Sequence, residues 1–459
     1  MKRHFVLPSL VLALAFSIQC LNAADKPAPD DEPYPLDKQT YQTTKLFTTK
    51  SLSRNGTGAC KPKVYKGNAY ATYMRQEDKR VMVAKVPLDG SAAVTLPLVT
   101  VKDADPKQRG YTAPIDNHSV YIIDVDRSGY IHVCGGMHTS DITYWRSDRP
   151  EDISSFTRIM PDDKLPPDTQ PCPISGKLTF PVFFSDRHGK LFWTCVQGFG
   201  PLCSYDETKK LWTALGKPLF PLTKNKQHTK DISYYYTDKT SHDTTDTTVV
   251  KGGLSQKFFD VAWDSKDRMH MVFGLLNKHT YKKSGGGAHT ILYAYSDDGG
   301  KTVFKSNGEQ IELPILPDAG SHQGEVITSE GGRQAHIAVD KANRPMIFWS
   351  KSGTHCSRLE SGRWVDYPGA PSGSGGAYSI DPNGVVICNH VHRQDKQVFT
   401  RFWNPDGHNS QTLDLTAVRG YDREYYRVSG ELVWTSISGR GENKDTYTMH
   451  RTVFDPVSK

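Results

Sequence analysis

Two histidines, His118 and His138, bracket residues 116–138, where two apolar runs meet at Arg127-Ser128-Gly129. A three-residue hairpin loop needs one left-handed residue, and glycine takes that conformation without steric cost. With Gly129 there, Asp126 pairs with Tyr130, and continuing the register sets His118 across from His138 with Cβ atoms roughly 4.5–5.5 Å apart. Imidazoles titrate near neutrality, so two placed together can withdraw and return a proton. The structural alternative is a hydrogen-bonded or metal-linked pair that steadies the hairpin. Asn117, beside His118, is an orienting or substrate-contacting amide, and Asn117-His118-Ser119 is also a formal glycosylation sequon.

The elements that must hold these rings recur along the chain. An apolar strand, a polar turn and a second apolar strand appear at residues 64–70, 126–129, 185–189, 264–267, 340–343, 381–384 and 428–430. Successive turns lie about 40 to 80 residues apart, and a four-stranded propeller blade needs roughly 40 to 50. The expected fold is therefore all-β, a seven-bladed β-propeller of four-stranded antiparallel blades, with a pair of β-sandwiches as the alternative. Convincing amphipathic helices are absent. Propeller sites form where loops from several blades converge at one end of the channel. On that ground His322, Arg333 and Gln334 are substrate-binding candidates, as are His336, Asn389, His390, His392 and Arg393.

The chain opens on Met1-Lys2-Arg3-His4 and an apolar run to Ile18, then small residues near Ala23. This reads as a secretory signal peptide over residues 1–23, giving a secreted or periplasmic protein without a membrane span. Residues 24–45 read as a flexible leader that is Pro-rich and acidic over residues 25–38. Residues 46–459 then form one propeller domain with a polar surface insertion around 223–253.

The formal charge of +7 drops by two when Lys2 and Arg3 leave with the signal. A mildly basic exported protein attracts acidic partners, and an acidic polysaccharide suits it. No basic run or recognised motif points to nucleic acid. A monomer is expected. Outside the signal the seven cysteines are Cys60, Cys134, Cys172, Cys195, Cys203, Cys356 and Cys388. An odd count leaves at least one free thiol, and Cys195 with Cys203 is a plausible local disulfide.

Residues 296–302 read Ser-Asp-Asp-Gly-Gly-Lys-Thr, the Ser-x-Asp-x-Gly-x-Thr Asp-box turn. That turn is structural and occurs in many unrelated propellers, sialidases among them. Only one good box is present, without the Phe-Arg-Ile-Pro segment or arginine triad of a sialidase. Together with Leu313-Pro314-Ile315, the two-histidine segment and residues 147–156, the box resembles the BNR-4 group. That group includes the propeller ulvan lyases and related enzymes acting at rhamnose-uronate linkages.

The resemblance implies β-elimination beside a uronic acid, in which a base removes the C5 proton, an acid protonates the leaving oxygen and a cation neutralises the carboxylate. It assigns His118 as the base and His138 as its partner. It also implies a Tyr and an Arg from the next blade, where this chain has Phe180 and Val196, a second Tyr where it has Phe258, and an Arg that falls near Leu276. Leaving-group protonation then falls to water, to a tyrosine such as Tyr144, or to His138. No organic cofactor is expected. The resemblance implies a structural zinc near His279 and His289, but Ile291-Leu292 stand where its cysteine belongs, so zinc is not the expected cofactor.

The leading expectation is thus a secreted polysaccharide lyase for a uronate-containing, ulvan-like polysaccharide. Two alternatives stay open: a non-catalytic glycan-binding propeller and a glycoside hydrolase on the same scaffold.

Overall fold

Each of the seven recurring hairpins opens a sheet in the computed structural model. The structure describes residues 40–51, 62–98, 121–140, 142–166, 169–173, 178–197, 202–215, 219, 255–276, 289–313, 324–331, 335–351, 353–367, 378–380, 386–391, 397–404, 409–419, 425–428, 431–438 and 446–455. They form antiparallel sheets throughout, with no α-helix among the described residues.

The first sheet takes Lys63–Tyr65, Asn68–Met74, Val81–Pro87 and Val94–Pro97; the second takes Tyr121–Val125, Ile131–Gly135, Tyr144–Ser147 and Phe156–Ile159. The third runs through Leu178–Ser185, Leu191–Gln197, Cys203–Asp206 and Leu211–Ala214, and adds His138–Ser140 beyond its first strand. The fourth begins with Ser255–Trp263, Met269–Leu276 and His289–Ser296, and has six strands in all. The fifth and sixth open on Ala335–Val339 and Tyr378–Ile380. The seventh opens on Tyr425–Val428, continues through Glu431–Ser438 and Thr446–Asp455, and is completed by Thr40–Lys50 from the other end of the chain.

Local chemistry sets these hairpins. At the second, Gly129 has φ 89° and the ladder runs from Val125 opposite Ile131 to Tyr121 opposite Gly135, the predicted register. An aspartate then ties the turn from within: Asp126 Oδ1 accepts the Tyr130 amide at 2.9 Å. Asp186 accepts the amides of His188 and Lys190, Asp264 those of Lys266 and Arg268, and Asp340 those of Ala342 and Arg344, all within 2.8–3.0 Å. A carboxylate two and four residues before the amides it binds is an Asx-type turn, fixed by nearest neighbours in sequence.

The Asp-box turn closes similarly. Ser296 Oγ donates to Asp298 Oδ1 at 2.8 Å and accepts the Gly300 amide at 2.7 Å, and Thr302 Oγ1 donates to Asp298 Oδ2 at 2.7 Å. Burial acts to raise the Asp298 carboxyl, but these bonds and the Thr302 and Lys301 amides outweigh it and hold the carboxyl below its ordinary value.

Apolar cores lie between consecutive sheets. Tyr70 and Val83 meet Ile123 and Val133; Cys134 and Tyr144 meet Trp193 and Tyr205; Phe192 and Leu202 meet Met271 and Leu292. The fourth and fifth sheets, and the fifth and sixth, pack likewise, and Val433 and Met449 of the seventh join Ala71 and Ala84 of the first. First strands lie side by side: Tyr121–Val125 runs against both Lys63–Tyr65 and Leu178–Ser185. There Lys63 Nζ reaches Asp124 Oδ1 at 2.7 Å and Ser185 Oγ at 2.8 Å, binding three sheets through one ammonium.

Two expectations are corrected. Residues 40–45, read as leader for their polarity, are strand, because every residue of Thr40–Lys50 except Leu46 has a ladder partner in Thr446–Asp455, with Thr43 and Thr48 hydroxyls bonded to Thr452 and Thr448. Cys195 and Cys203 form no disulfide. Cys203 lies across from Trp193 and Cys195 across from Pro181, so the ladder offsets the two sulfurs, and both are buried thiols outside any disulfide, as are Cys134, Cys172 and Cys356. The proposed signal peptide and the 223–253 insertion lie outside the described residues. Among the described residues no helix is long and apolar enough to cross a membrane.

Candidate functional site

The strand Ile131–Gly135 ends one residue before Gly136, which has φ 74°. A Cβ at that position would stand 2.3 Å from the Tyr121 hydroxyl, so only glycine lets the chain turn here. Past the turn, Met137 is buried and the Gly135 amide donates to the Thr143 carbonyl at 3.2 Å. Residues His138–Ser140 then leave the second sheet and join the third, where Thr179 pairs with His138 and Leu178 with Ser140. The described ladder between the two strands of the hairpin therefore stops at Tyr121 and Gly135. His138 sits on the seam between two sheets, while Asn117 and His118 precede Tyr121 and lie outside the described residues.

Thr179 is shared. On one side it faces His138 and on the other Gln197, and the next described pair is Pro181 with Cys195. Phe180 and Val196 fall between those two pairs. The structure thus brings His138, Phe180 and Val196 to one level at one end of the third sheet. These are three of the four positions that the resemblance assigns to the reaction. At Phe180 and Val196 neither phenyl nor isopropyl donates a proton or balances a carboxylate.

Tyr144 cannot supply the acid. It is fully buried, its hydroxyl is 2.6 Å from His132 Nδ1, and burial holds its pKa well above the ordinary tyrosine value. His132 Nε2 in turn lies 3.2 Å from Asp126 Oδ2. An ionised carboxylate only accepts, so the proton belongs on Nε2 and Tyr144 donates to Nδ1. Burial lowers the His132 pKa despite Asp126, and the ring stays neutral.

The same triad recurs in the fourth sheet. His270 Nδ1 lies 2.7 Å from the Tyr293 hydroxyl, and Nε2 lies 3.6 Å from Asp264 Oδ2. In the fifth sheet Arg344 takes the second oxygen of Asp340 at 2.7 Å. These buried rings were not singled out from the sequence, although a signal existed: Asp126 and His132 have the same spacing as Asp264 and His270. Their place behind the hairpin turns makes them scaffold.

Other sequence candidates scatter. His322, Arg333 and Gln334, with His392, Arg393 and His279, lie outside the described residues. His336 is on the first strand of the fifth sheet, its Nδ1 3.4 Å from Asp260 Oδ2 of the fourth. Asp260 also accepts the Ile337 amide at 3.1 Å and the Val261 amide at 3.0 Å, which fixes its orientation. Asn389 and His390 lie within Val386–Val391. Phe258 and Leu276 stand on the paired first strands of the fourth sheet.

His289 begins the strand that contains Ile291 and Leu292, and both of these are buried in apolar cores. Among the described residues that strand offers no thiolate for the implied zinc.

No curated protein matches this chain. Among solved structures, the polysaccharide lyase Uly1 shares the fold with a TM-score of 0.59 at 14% identity, over 87% of this chain and 90% of its own. A PL25 ulvan lyase bound to -[GlcA(1-4)Rha3S]- does so with a TM-score of 0.60 at 11% identity, over 89% and 95%. Identity at that level shows a common fold and leaves activity to the site. The sequence pattern of the BNR repeat-containing family matches residues 68–370, well over half of the chain, and on that match the protein belongs to that family.

Proposed function

We propose that this protein is an exported, carbohydrate-active seven-bladed propeller that cleaves a uronate-containing, ulvan-like polysaccharide by β-elimination. Thr40–Lys50 closes the ring by completing the seventh sheet. His118 is the base that takes the C5 proton, and His138 is its partner and returns a proton to the leaving oxygen. Asn117, His322, Arg333 and Gln334 hold the glycan. The observation that carries this reading is the convergence of His138, Phe180 and Val196 about Thr179. It supports the reading through the likeness in fold to polysaccharide lyases.

Phe180 and Val196 also favour a second reading, a glycan-binding propeller without chemistry, because they supply neither acid nor cation. Incubating the purified protein with ulvan and other uronate polysaccharides separates the two. The lyase reading expects ultraviolet absorbance from an unsaturated uronate product, lost by about a hundredfold or more in His118→Ala and His138→Ala. Binding with no unsaturated product leaves the second reading.

A further inference from the structure

The hairpin turns of the first five sheets touch one after another. The Tyr65 hydroxyl donates to the Arg127 carbonyl at 3.1 Å, and Arg127 Cγ lies 3.2 Å from where a Cβ on Gly189 would stand. Arg187 Nη1 donates to the Asp264 carbonyl at 3.0 Å, His188 Nε2 lies 3.0 Å from Asp267 Oδ2, and Asn343 Oδ1 accepts the Ser265 amide at 2.8 Å. These turns form one arc at the end of the sheets away from His138. Along the strand Leu178–Ser185, Thr179 pairs with His138 and Ser185 leads into its turn, about 20 Å away at the rise of an extended strand.

The chemistry of the turns sorts their charges. An Asx-type turn spends its aspartate on the backbone, so Asp264 and Asp340 are buried and Asp186 is tied to two amides. The residues that follow each aspartate face solvent instead: Lys266 and Lys341 are exposed, and Arg187 is 47% exposed. The Asp-box turn adds an exposed Lys301 at the same end of the fourth sheet, while its Asp298 is held by Ser296 and Thr302 and its Asp297 by Arg268. Lys190 stands nearby with Nζ 5.5 Å from the Phe192 ring, and a Cβ on Gly299 of the box would meet that ring at 3.7 Å. Among these cations the exposed Asp267 is shared by Arg187 and His188, and Asp206 has Lys209 at 3.8 Å. The first two turns differ, since Lys66 and Arg127 are paired with Glu151 and Glu207. The sixth and seventh, Asp381-Pro382-Asn383-Gly384 and Val428-Ser429-Gly430, carry no cation in sequence. The basic surface is therefore confined to the third, fourth and fifth sheets.

We infer that this turn face is a second binding surface, which holds a strand of anionic polysaccharide through Arg187, Lys190, Lys266, Lys301 and Lys341. A linear polymer with charge along its length matches a row of cations presented by successive sheets, and each contact releases counterions. A lysine ammonium on a flexible stem accepts sulfate or carboxylate from many directions, as an irregular polymer requires. The inference rests on the acidic-polysaccharide reading and extends it: the arc keeps the protein on the polymer, and the His138 end meets a separate segment at raised effective concentration.

The test uses the full chain carrying Lys266→Gln, Lys301→Gln and Lys341→Gln together. A control triple, Lys45→Gln, Lys50→Gln and Lys164→Gln, removes equal charge from exposed positions off the arc. Affinity for long-chain ulvan at low salt should fall about tenfold in the turn variant and stay within about twofold of wild type in the control. The difference should vanish at about 1 M salt, where the screening length is about 3 Å. Wild-type affinity in the turn variant, an equal loss in the control, or a wild type that binds double-stranded DNA as tightly as ulvan overturns the inference. Cleavage of a uronate tetrasaccharide by the wild type, with ulvan affinity unchanged in the turn variant, removes the inference and keeps the lyase reading. Ulvan binding lost in the turn variant, with no unsaturated product from the wild type, keeps the inference and removes that reading. A wild type that neither binds nor cleaves ulvan removes both.

Discussion

Small steric facts decide the candidate site. Gly136 lets the chain leave one sheet for the next, and its position against the Tyr121 hydroxyl admits no side chain. Gly136→Ala therefore combines a left-handed strain with a clash of a rigid ring, and should cost about 2–4 kcal/mol. Urea unfolding followed by tryptophan fluorescence measures it; a change below about 0.5 kcal/mol would show that the turn is not needed. Phe180 and Tyr144 show the same dependence on environment. One is a phenyl held in a strained backbone beside His138, and the other is a phenol whose burial and bond to His132 remove it from chemistry.

Between elements, polar groups do what the apolar cores do between sheets. Lys63 and Asp124 are 13% and 7% exposed, so both are largely desolvated, and Ser185 completes the contact. Removing one partner strands the other charge, and Asp124→Leu alone should cost about 3–5 kcal/mol. The double variant Lys63→Met with Asp124→Leu should recover most of that loss, since no charge is left buried. A double-mutant cycle by chemical denaturation gives the coupling; a loss in the double variant equal to the sum of the two single losses would mean that the pair acts independently. The hairpin aspartates work on a shorter range. One oxygen ties the turn, and the other meets His132 in the second sheet and Arg344 in the fifth.

Across the whole molecule the buried histidines set the response to acid. Burial pushes His270 from 6.5 to about 4 against the pull of Asp264, and burial with Lys45 nearby pushes His450 to about 4. His132 moves in the same direction. A lowered histidine pKa means that the unfolded chain binds the proton first. The stability these groups contribute is full above pH 6.5 and is lost as pH falls toward 4, at about 3 kcal/mol for each shift of that size. Against a total of about 5–15 kcal/mol, that is enough to unfold the protein near the lower end of the range. Denaturant midpoints measured from pH 7 to pH 4 should fall steeply, and His450→Asn should flatten the slope; a flat profile in the wild type contradicts the burial of these rings.

The hairpins were legible in the sequence because their causes are local: Gly129 in a three-residue loop, or Asp264 bonded two and four residues ahead, needs nothing from the rest of the chain. The inner register around Gly129 followed from the same turn. Partners distant in sequence were not legible. Residues 40–45 looked like leader because an edge strand needs ladder bonds more than apolar residues, and the partner of Thr40–Lys50 lies at the far end of the chain. His138 looked like a continuation of its own hairpin until the turn at Gly136 and the shared edge at Thr179 drew it into the next sheet. The strain at Phe180 left no mark in the pattern, since Phe-Pro reads as ordinary extended backbone until two neighbouring strands constrain it. The sequence by itself determined which residues turn and which strands follow, because those choices depend on backbone sterics and hydrogen bonds within a few residues. Only the tertiary structure decided which side chains share the site, because that depends on where independent sheets meet.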